Sequence, residues 1–193
     1  MRITIANVCG MGRVVRRYGC RSKDNGLHRN LIRTKADIFI LTETKLLDQD
    51  MRPEEYRNLR KWWGQHQDRV CIFQDTVQDD NKRRGVAILV KPGLNFTINH
   101  IIRSGRGRHI IVNITTMAHS YNIAAFYGFD GTSDVISEET LSNMYTDLQD
   151  MCNQHQGEVI IAGDFNFTIC KEDSNTQAAR KTGTVAKMLD IME

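Results

Sequence analysis

The sequence predicts an α/β sandwich, in which two β-sheets pack face to face and helices cover their outer faces. Apolar runs typical of strands come in groups, and segments with helical spacing fall between some of them. The 193 residues are enough to bury a core, and 40% hydrophobic and 25% charged residues are ordinary for a globular domain. With two prolines and no linker or repeat, residues 1–193 are predicted to form a single domain.

Eight short runs rich in apolar residues predict eight strands. The first alternates polar and apolar residues, whereas the second is almost wholly apolar. Turn-forming residues separate most of the runs. The predicted strands cover residues 2–8, 37–41, 69–74, 85–90, 96–102, 109–115, 122–126 and 159–162.

Four segments have the spacing of helices. Pro53 would lie in the first turn of the second helix. Ser137 is expected to cap the third and longest helix, with Glu138 and Glu139 in its first turn. The predicted helices cover residues 27–35, 53–63, 137–155 and 184 onward, and the glycine-rich, basic residues 10–26 are predicted to form a long loop.

Composition argues against several classes of protein. A net charge of +3 permits a polyanionic partner without requiring one. The five cysteines form no C-x-x-C pair, which disfavours a zinc site or a disulfide framework and favours a reducing compartment. No apolar run reaches the roughly 18 residues of a membrane span. We therefore expect an intracellular protein, nuclear or cytoplasmic, with no membrane partner and with its oligomeric state open.

The most informative segment is Glu-Val-Ile-Ile-Ala-Gly-Asp-Phe-Asn, residues 158–166. Residues 159–162 are small or β-branched without polar alternation, which predicts a strand buried on both faces. Gly163 is expected to end the strand, so that Asp164 and Asn166, two positions apart, face one reacting centre. The alternative is an ordinary turn, in which Asp and Asn are common.

Polar side chains also lie where three other predicted strands should end, at Asn7, Glu43 and Tyr127. Together with Asp164 and Asn166 they place five polar groups at four strand ends, where α/β proteins often build a site. A carboxylate such as Glu43 suits a hard cation, Mg²⁺ above all. Taken singly, Glu43 could instead start a turn or helix, Tyr127 could be a core aromatic and Asn7 could cap a turn.

The order of these segments resembles the endonuclease/exonuclease/phosphatase superfamily. The segments are Ile-Ala-Asn-Val-Cys-Gly, Ile-Leu-Thr-Glu-Thr, Phe-Tyr-Gly and Ala-Gly-Asp-Phe-Asn. The sequence of these segments is most similar to the apurinic-type endonuclease domain of non-LTR retrotransposons, and the similarity runs from residue 2 to about residue 168. The resemblance implies a four-layer sandwich of two mainly antiparallel or mixed sheets with outer helices, and a reverse transcriptase region as a possible partner within a longer polyprotein.

The resemblance also implies roles for the five residues. Glu43 would bind Mg²⁺ or Mn²⁺, and Asn7 would help to organise the metal shell or the scissile phosphate. Tyr127 would bind the phosphate, and Asp164 would orient or deprotonate the attacking water. Asn166 would hydrogen-bond the phosphate or the catalytic base. The implied reaction is metal-assisted nicking of DNA that leaves a 3′ hydroxyl.

The chain departs from the family pattern after Asn166. Family members continue with strands that carry a further aspartate and a closing Ser-Asp-His, whereas all six histidines here precede Asp164. The expectation is an incomplete sandwich without its C-terminal strands, an exposed sheet edge, and weak or no nuclease activity. Two alternatives are a non-catalytic nucleic-acid- or protein-binding remnant and a phosphomonoesterase of the same superfamily.

Three basic stretches are candidates for contacts with DNA phosphates, with ordinary solvated loops as the alternative. Two of them are Lys82-Arg83-Arg84 and the segment from Arg103 to His109. The best candidate follows Asn7 directly and contains Arg13, Arg16, Arg17, Arg21 and Lys23.

Overall fold

The computed structural model describes residues 1–8, 33–45, 71–75, 85–90, 94–128 and 134–166. Several sequence-based predictions lie outside these ranges. They are the loop 10–26 with Arg13, Arg16, Arg17, Arg21 and Lys23, most of the helix 27–35, the helices 53–63 and 184 onward, and the basic run 82–84.

All eight predicted strands are present, with ends that differ from the prediction by at most two residues. The one long helix of the described residues, α1, lies between the last two strands. The elements are β1 (Ile3–Asn7), β2 (Ile38–Thr42), β3 (Cys71–Asp75), β4 (Val86–Val90), β5 (Phe96–Arg103), β6 (His109–Thr116), β7 (Ser120–Tyr127), α1 (Asp134–Gln154) and β8 (Glu158–Asp164).

The start of α1 was predicted at the wrong residue. The helix begins at Asp134, so Ser137 lies inside it rather than capping it. Ser133 and Asp134 offer the same N-terminal chemistry as Ser137 one turn earlier, and the sequence alone does not separate the two starts.

The strands form two mixed four-stranded sheets. The first has the order β1-β2-β4-β3, with β1 parallel to β2 and the other pairs antiparallel. The second has the order β5-β6-β7-β8, with β7 parallel to β8 and the other pairs antiparallel. Because strands of a parallel pair run in the same direction, Asn7 ends beside Thr42 and Tyr127 ends beside Asp164.

The core lies between the sheets, and α1 covers the outer face of the second sheet. On β6, Ile110, Val112 and Ile114 point into the core, while Ile111 packs on the helix side with Met144 and Met151. This alternation follows from the two-residue repeat of a strand. The inner faces meet through Ile38, Ile40, Val86, Ile88 and Val90 of the first sheet and Ile110, Val112, Ile114, Ile123, Ala125, Tyr127 and Ala162 of the second. The predicted sandwich with an outer helix is therefore confirmed.

The prediction that the apolar run of β8 is buried on both faces is wrong. Val159 is 48% exposed, Ile160 and Ile161 are only partly buried, and Ala162 is the one buried apolar residue of the strand. The reason is position: among the described strands, β8 pairs with β7 alone and forms the edge of its sheet.

The prediction that Gly163 ends the strand is wrong, because β8 continues to Asp164. Its φ is +154°, and a Cβ at this position would overlap the carbonyl oxygen of Phe126. The glycine therefore serves the close approach of β8 to β7 just before Asp164.

No helix among the described residues is long and apolar enough to cross a membrane.

Candidate active site

Four strand ends meet at one edge of the sandwich and bring together four of the predicted side chains. Asn7 Nδ2 donates to Glu43 Oε1 at 3.0 Å and to Asp164 Oδ2 at 3.0 Å, so one amide joins carboxylates from both sheets. The hydroxyl of Tyr127 donates to the same Glu43 Oε1 at 3.0 Å. These contacts link residues up to 157 positions apart in the sequence.

Asn166 lies at the same edge but forms hydrogen bonds with a different set of partners. Its backbone N–H donates to Asp164 Oδ1 at 3.2 Å, and its Nδ2 donates to the Gly128 carbonyl at 3.1 Å. The strand ends at Asp164 and Asn166 has a left-handed φ of 53°, so the two-residue alternation used in the prediction does not extend to it. Asn166 thus restrains the side chain of Asp164 and the main chain at Gly128.

Left-handed backbone is concentrated at this edge. The described residues contain four non-glycine residues with positive φ, and three of them are Glu43, Lys45 and Asn166, each at 53°. Such conformations are uncommon for residues with a Cβ and tend to cluster where function requires them. Here they turn the chain directly after β2 and β8 and present the side chains at the strand ends.

Glu43 is held in its ionised form. The hydrogen bond from Asn7 lowers the pKa of the Glu43 carboxyl most, and Tyr127 and Lys45 lower it further, while partial burial opposes them. Lys45 Nζ lies 3.3 Å from Glu43 Oε2. The sequence analysis missed Lys45, although its signal was a basic residue two positions after the predicted ligand.

Arg108 is a second residue of the site that the sequence analysis missed. It is 4% exposed, and its Nη1 donates to the carbonyls of Gly128 at 2.6 Å and Tyr127 at 3.4 Å. Its guanidinium carbon lies 5.3 Å from the centre of the Tyr127 ring. Arg108 thus fixes the main chain and the ring of Tyr127. The alternative of a solvated loop for residues 103–109 is wrong for Arg108 and for His109, which is 1% exposed.

The main chain of Gly128 contacts Asp164, Arg108 and Asn166. Its N–H donates to the Asp164 carbonyl at 2.7 Å, and its own carbonyl accepts from both Arg108 and Asn166. A Cβ on Gly128 would overlap the carbonyl of Phe165. The ends of β7 and β8 are therefore tied together by backbone as well as by side chains.

The donor set suits a hard divalent cation held by few protein ligands. Glu43 supplies an ionised carboxylate, and the amide of Asn7 links it to the side-chain carboxyl group of Asp164. Within the part of the chain that the structure describes, no three His, Cys, Asp or Glu side chains are grouped to hold a metal ion. A cation at Glu43 would therefore complete its shell with water, as Mg²⁺ commonly does. The Nδ2 of Asn7 faces carboxylates, so Asn7 orients the ligands and does not bind metal through that atom.

Three solved structures share this fold. An AP endonuclease from Leishmania major aligns with a TM-score of 0.72 and 12% identity over 99% of this chain and 65% of its own. An AP endonuclease from Archaeoglobus fulgidus aligns with a TM-score of 0.65 and 14% identity, covering 100% of this chain and 70% of that protein. A 3′ phosphatase from Neisseria, solved with a product DNA hairpin, aligns with a TM-score of 0.66 and 16% identity, with the same two coverages. At these identities the likeness shows the fold alone.

The chain spans about two thirds of the length of these three proteins. No curated protein matches its sequence. The match that assigns the family is to the model of the endonuclease/exonuclease/phosphatase family, and it covers residues 6–183. That match contains all the strand ends described above and confirms the resemblance at the level of the superfamily, whereas the retrotransposon branch stays a prediction. The chain belongs to the endonuclease/exonuclease/phosphatase family.

Proposed function

We propose that the chain is a metal-dependent phosphodiester hydrolase that nicks DNA at the edge formed by Asn7, Glu43, Tyr127 and Asp164. The observation that carries the proposal is the Asn7 amide, which donates at 3.0 Å to a carboxylate of each sheet. A partly exposed, partly strained network of two carboxylates, an amide and a phenol is suited to chemistry rather than to stability. Members of this family generally depend on a divalent cation, and Mg²⁺, or Mn²⁺ in its place, fits the donors.

In this mechanism Asp164 takes a proton from water, whose oxygen forms the new bond to phosphorus. Its Oδ1 and Oδ2 are held by Asn166 and Asn7, which keep the carboxylate in one orientation. The bond from phosphorus to the 3′ oxygen breaks, and that oxygen takes a proton from solvent to give a 3′ hydroxyl, while Asp164 returns its proton to solvent. A cation held at Glu43 would supply charge stabilisation to the phosphoryl oxygen and to the departing 3′ oxygen.

Tyr127 and Asn7 are proposed to serve the reacting phosphate by exchanging a present partner for it. The Tyr127 hydroxyl donates its one hydrogen to Glu43 Oε1, and the two N–H groups of Asn7 donate to Glu43 and Asp164. Arg108 restrains the main chain and ring of Tyr127, and a donor positioned in this way would stabilise the charge that develops in the transition state. Asn166 acts on the base Asp164 and on Gly128 in this scheme.

DNA as the substrate is supported by the solved relatives, two AP endonucleases and a phosphatase bound to a DNA hairpin. The sequence segments Leu-Thr-Glu-Thr and Gly-Asp-Phe-Asn support a retroelement origin, with a reverse transcriptase region in a longer polyprotein. Because all six histidines precede Asp164, we expect weak nicking by the 193-residue chain. Arg13, Arg16, Arg17, Arg21 and Lys23 remain proposed DNA contacts.

The test is a supercoiled-plasmid nicking assay with Mg²⁺ at low salt. Glu43→Gln and Asp164→Asn should abolish nicking, because each removes one carboxylate with little change of shape. The matched controls are Glu158→Gln and Asp150→Asn, which change exposed carboxylates away from the site. Nicking that survives both site substitutions contradicts the proposal.

A phosphatase of the same family would behave differently in a parallel assay. Phosphate released from a 3′-phosphorylated oligonucleotide, without plasmid nicking and with the same dependence on Glu43 and Asp164, would replace the endonuclease by a phosphomonoesterase. DNA binding without either turnover would identify a binding remnant. The two turnover assays and a DNA-binding measurement together separate the three outcomes, and the four variants tie any turnover to Glu43 and Asp164.

A further inference from the structure

A cavity of about 330 Å³ lies between the β5–β6 turn and α1, beside the active-site edge. Three arginines line it, Arg103, Arg106 and Arg108, together with hydroxyl and amide side chains from α1. The mechanism proposed above leaves this cavity unused.

Hydrogen bonds connect the cavity to the active site. The Thr44 N–H donates to the Gly85 carbonyl at 3.0 Å, and the Gly85 N–H donates to the Gly107 carbonyl at 3.1 Å, so the β5–β6 turn lies next to the segment that carries Glu43. Arg108 lines the cavity and also donates to Gly128, directly after Tyr127. A strand of nucleic acid whose phosphate reacts at Tyr127 would pass close to this turn.

The charge of the cavity favours an anion. Among the described residues, the one carboxylate that lines it, Asp147, lies 2.6 Å from Nε2 of the buried His109 and is engaged there. Arg106 pairs with Glu139 at 3.1 Å, but both side chains are more than half exposed. Such an exposed ion pair is weak and easily exchanged for another anion.

The turn that carries the arginines is fixed before any ligand binds. Ser104 Oγ accepts hydrogen bonds from the backbone N–H groups of Arg106 at 3.2 Å, Arg108 at 3.2 Å and His109 at 3.4 Å. Gly105 and Gly107 supply the left-handed conformations, with φ of 66° and 69°. A preorganised turn loses little freedom on binding, and guanidinium groups match the geometry of phosphate oxygens.

We infer that this cavity binds a backbone phosphate of the DNA strand that flanks the reacting position. The inference rests on the proposed function, since DNA must occupy the adjacent edge. It assigns Arg103 and Arg106 to contacts that position the strand irrespective of its sequence. The binding is electrostatic and therefore depends on salt.

The test measures binding of a fluorescein-labelled duplex DNA by anisotropy over a series of salt concentrations. Every protein carries Asp164→Asn, which prevents turnover, so that binding is measured apart from catalysis. Arg103→Gln and Arg106→Gln should each reduce the slope of log K against log salt by about 0.9, the value for one phosphate contact. Glu139→Gln should strengthen binding by releasing Arg106 from its ion pair.

The matched control is Arg33→Gln, an equal loss of charge on an exposed residue ahead of β2, at the opposite edge of the sandwich. A slope for Arg103→Gln and Arg106→Gln equal to that of Arg33→Gln overturns the inference and leaves the proposed function intact. No measurable DNA binding by any variant also overturns it. The nicking assay with Glu43→Gln and Asp164→Asn separately decides the function.

Discussion

The inter-sheet core and the active-site edge are built by the same strands but follow opposite rules. In the core, Ile40, Ile88 and Ile110 are completely buried and entirely apolar. At the edge, Asn7 is exposed and Glu43 carries a left-handed backbone, with hydrogen bonds instead of packing between the sheets. The core and the edge therefore have different roles. Packing in the core determines the free energy of unfolding, and the polar network at the edge determines the chemistry. Substitutions in the two regions should separate stability from activity.

The largest expected effect is on stability, from Ile88→Ala. Ile88 is 0% exposed in the middle of β4, and its truncation should reduce the free energy of unfolding by about 2–5 kcal/mol. Urea unfolding followed by circular dichroism measures the change. Ile5→Ala is the matched control, because Ile5 is 48% exposed and should cost far less. Equal losses would show that the buried cluster is not the source of stability.

Asn7→Ala should have the reverse profile, with little loss of stability and a large loss of activity. The substitution removes the donor to both Glu43 and Asp164 at an exposed position. Removal of one preorganised donor commonly costs about 10²-fold in rate, and we expect a loss of that order in nicking. Asn153→Ala, at an exposed position on α1, is the control. A stability loss as large as that of Ile88→Ala would contradict the separation of the two regions.

Arg108→Lys tests a buried residue that positions the active-site edge. Lysine keeps the charge but cannot place one planar group on two carbonyls and a ring, so Tyr127 should be held less firmly. We expect kcat at saturating DNA to fall by about tenfold, in line with a loss of orientation. Arg106→Gln, in the adjoining cavity, should instead raise KM and leave kcat nearly unchanged. A change in KM alone for Arg108→Lys would contradict its positioning role.

The smallest effect is the contribution of Glu43 to stability as a function of pH. Its folded pKa lies below the unfolded value of about 4.3, chiefly because Asn7 donates to the ionised carboxylate. The stabilisation is therefore fully present above about pH 4.3 and is lost as pH falls through the lowered folded pKa. Urea unfolding of the native chain and of Glu43→Gln should show free energies that converge in this acid range. A constant difference down to pH 2 would contradict the assignment.

Much of this arrangement was predictable because strand patterns and strand-end polarity are local features. Asn7, Glu43, Tyr127 and Asp164 each lie at the end of a predicted strand, and four such positions in the family order led to one site. The burial of β8 was not predictable, since its apolar run resembles that of β2 while its place at the sheet edge depends on tertiary order.

The roles of Lys45 and Arg108 were hidden for a related reason. Lys45 approaches Glu43 through a left-handed turn, and Arg108 meets Tyr127 only through pairing of β6 with β7. Asn166 was expected from strand alternation, which stops two residues before it. Local patterns thus located the ends of the strands, and non-local pairing decided what those ends contact.

The central claim is that Asn7 and Asp164 act as one unit across the two sheets. The most direct measurement is a double-mutant cycle on the rate of plasmid nicking, with Asn7→Ala, with Asp164→Glu, which displaces the carboxylate without removing it, and with both together. Because the two side chains share a hydrogen bond of 3.0 Å, the double variant should nick no more slowly than the slower single variant. Multiplicative losses would mean that the two residues act independently and would contradict a single site built from both sheets.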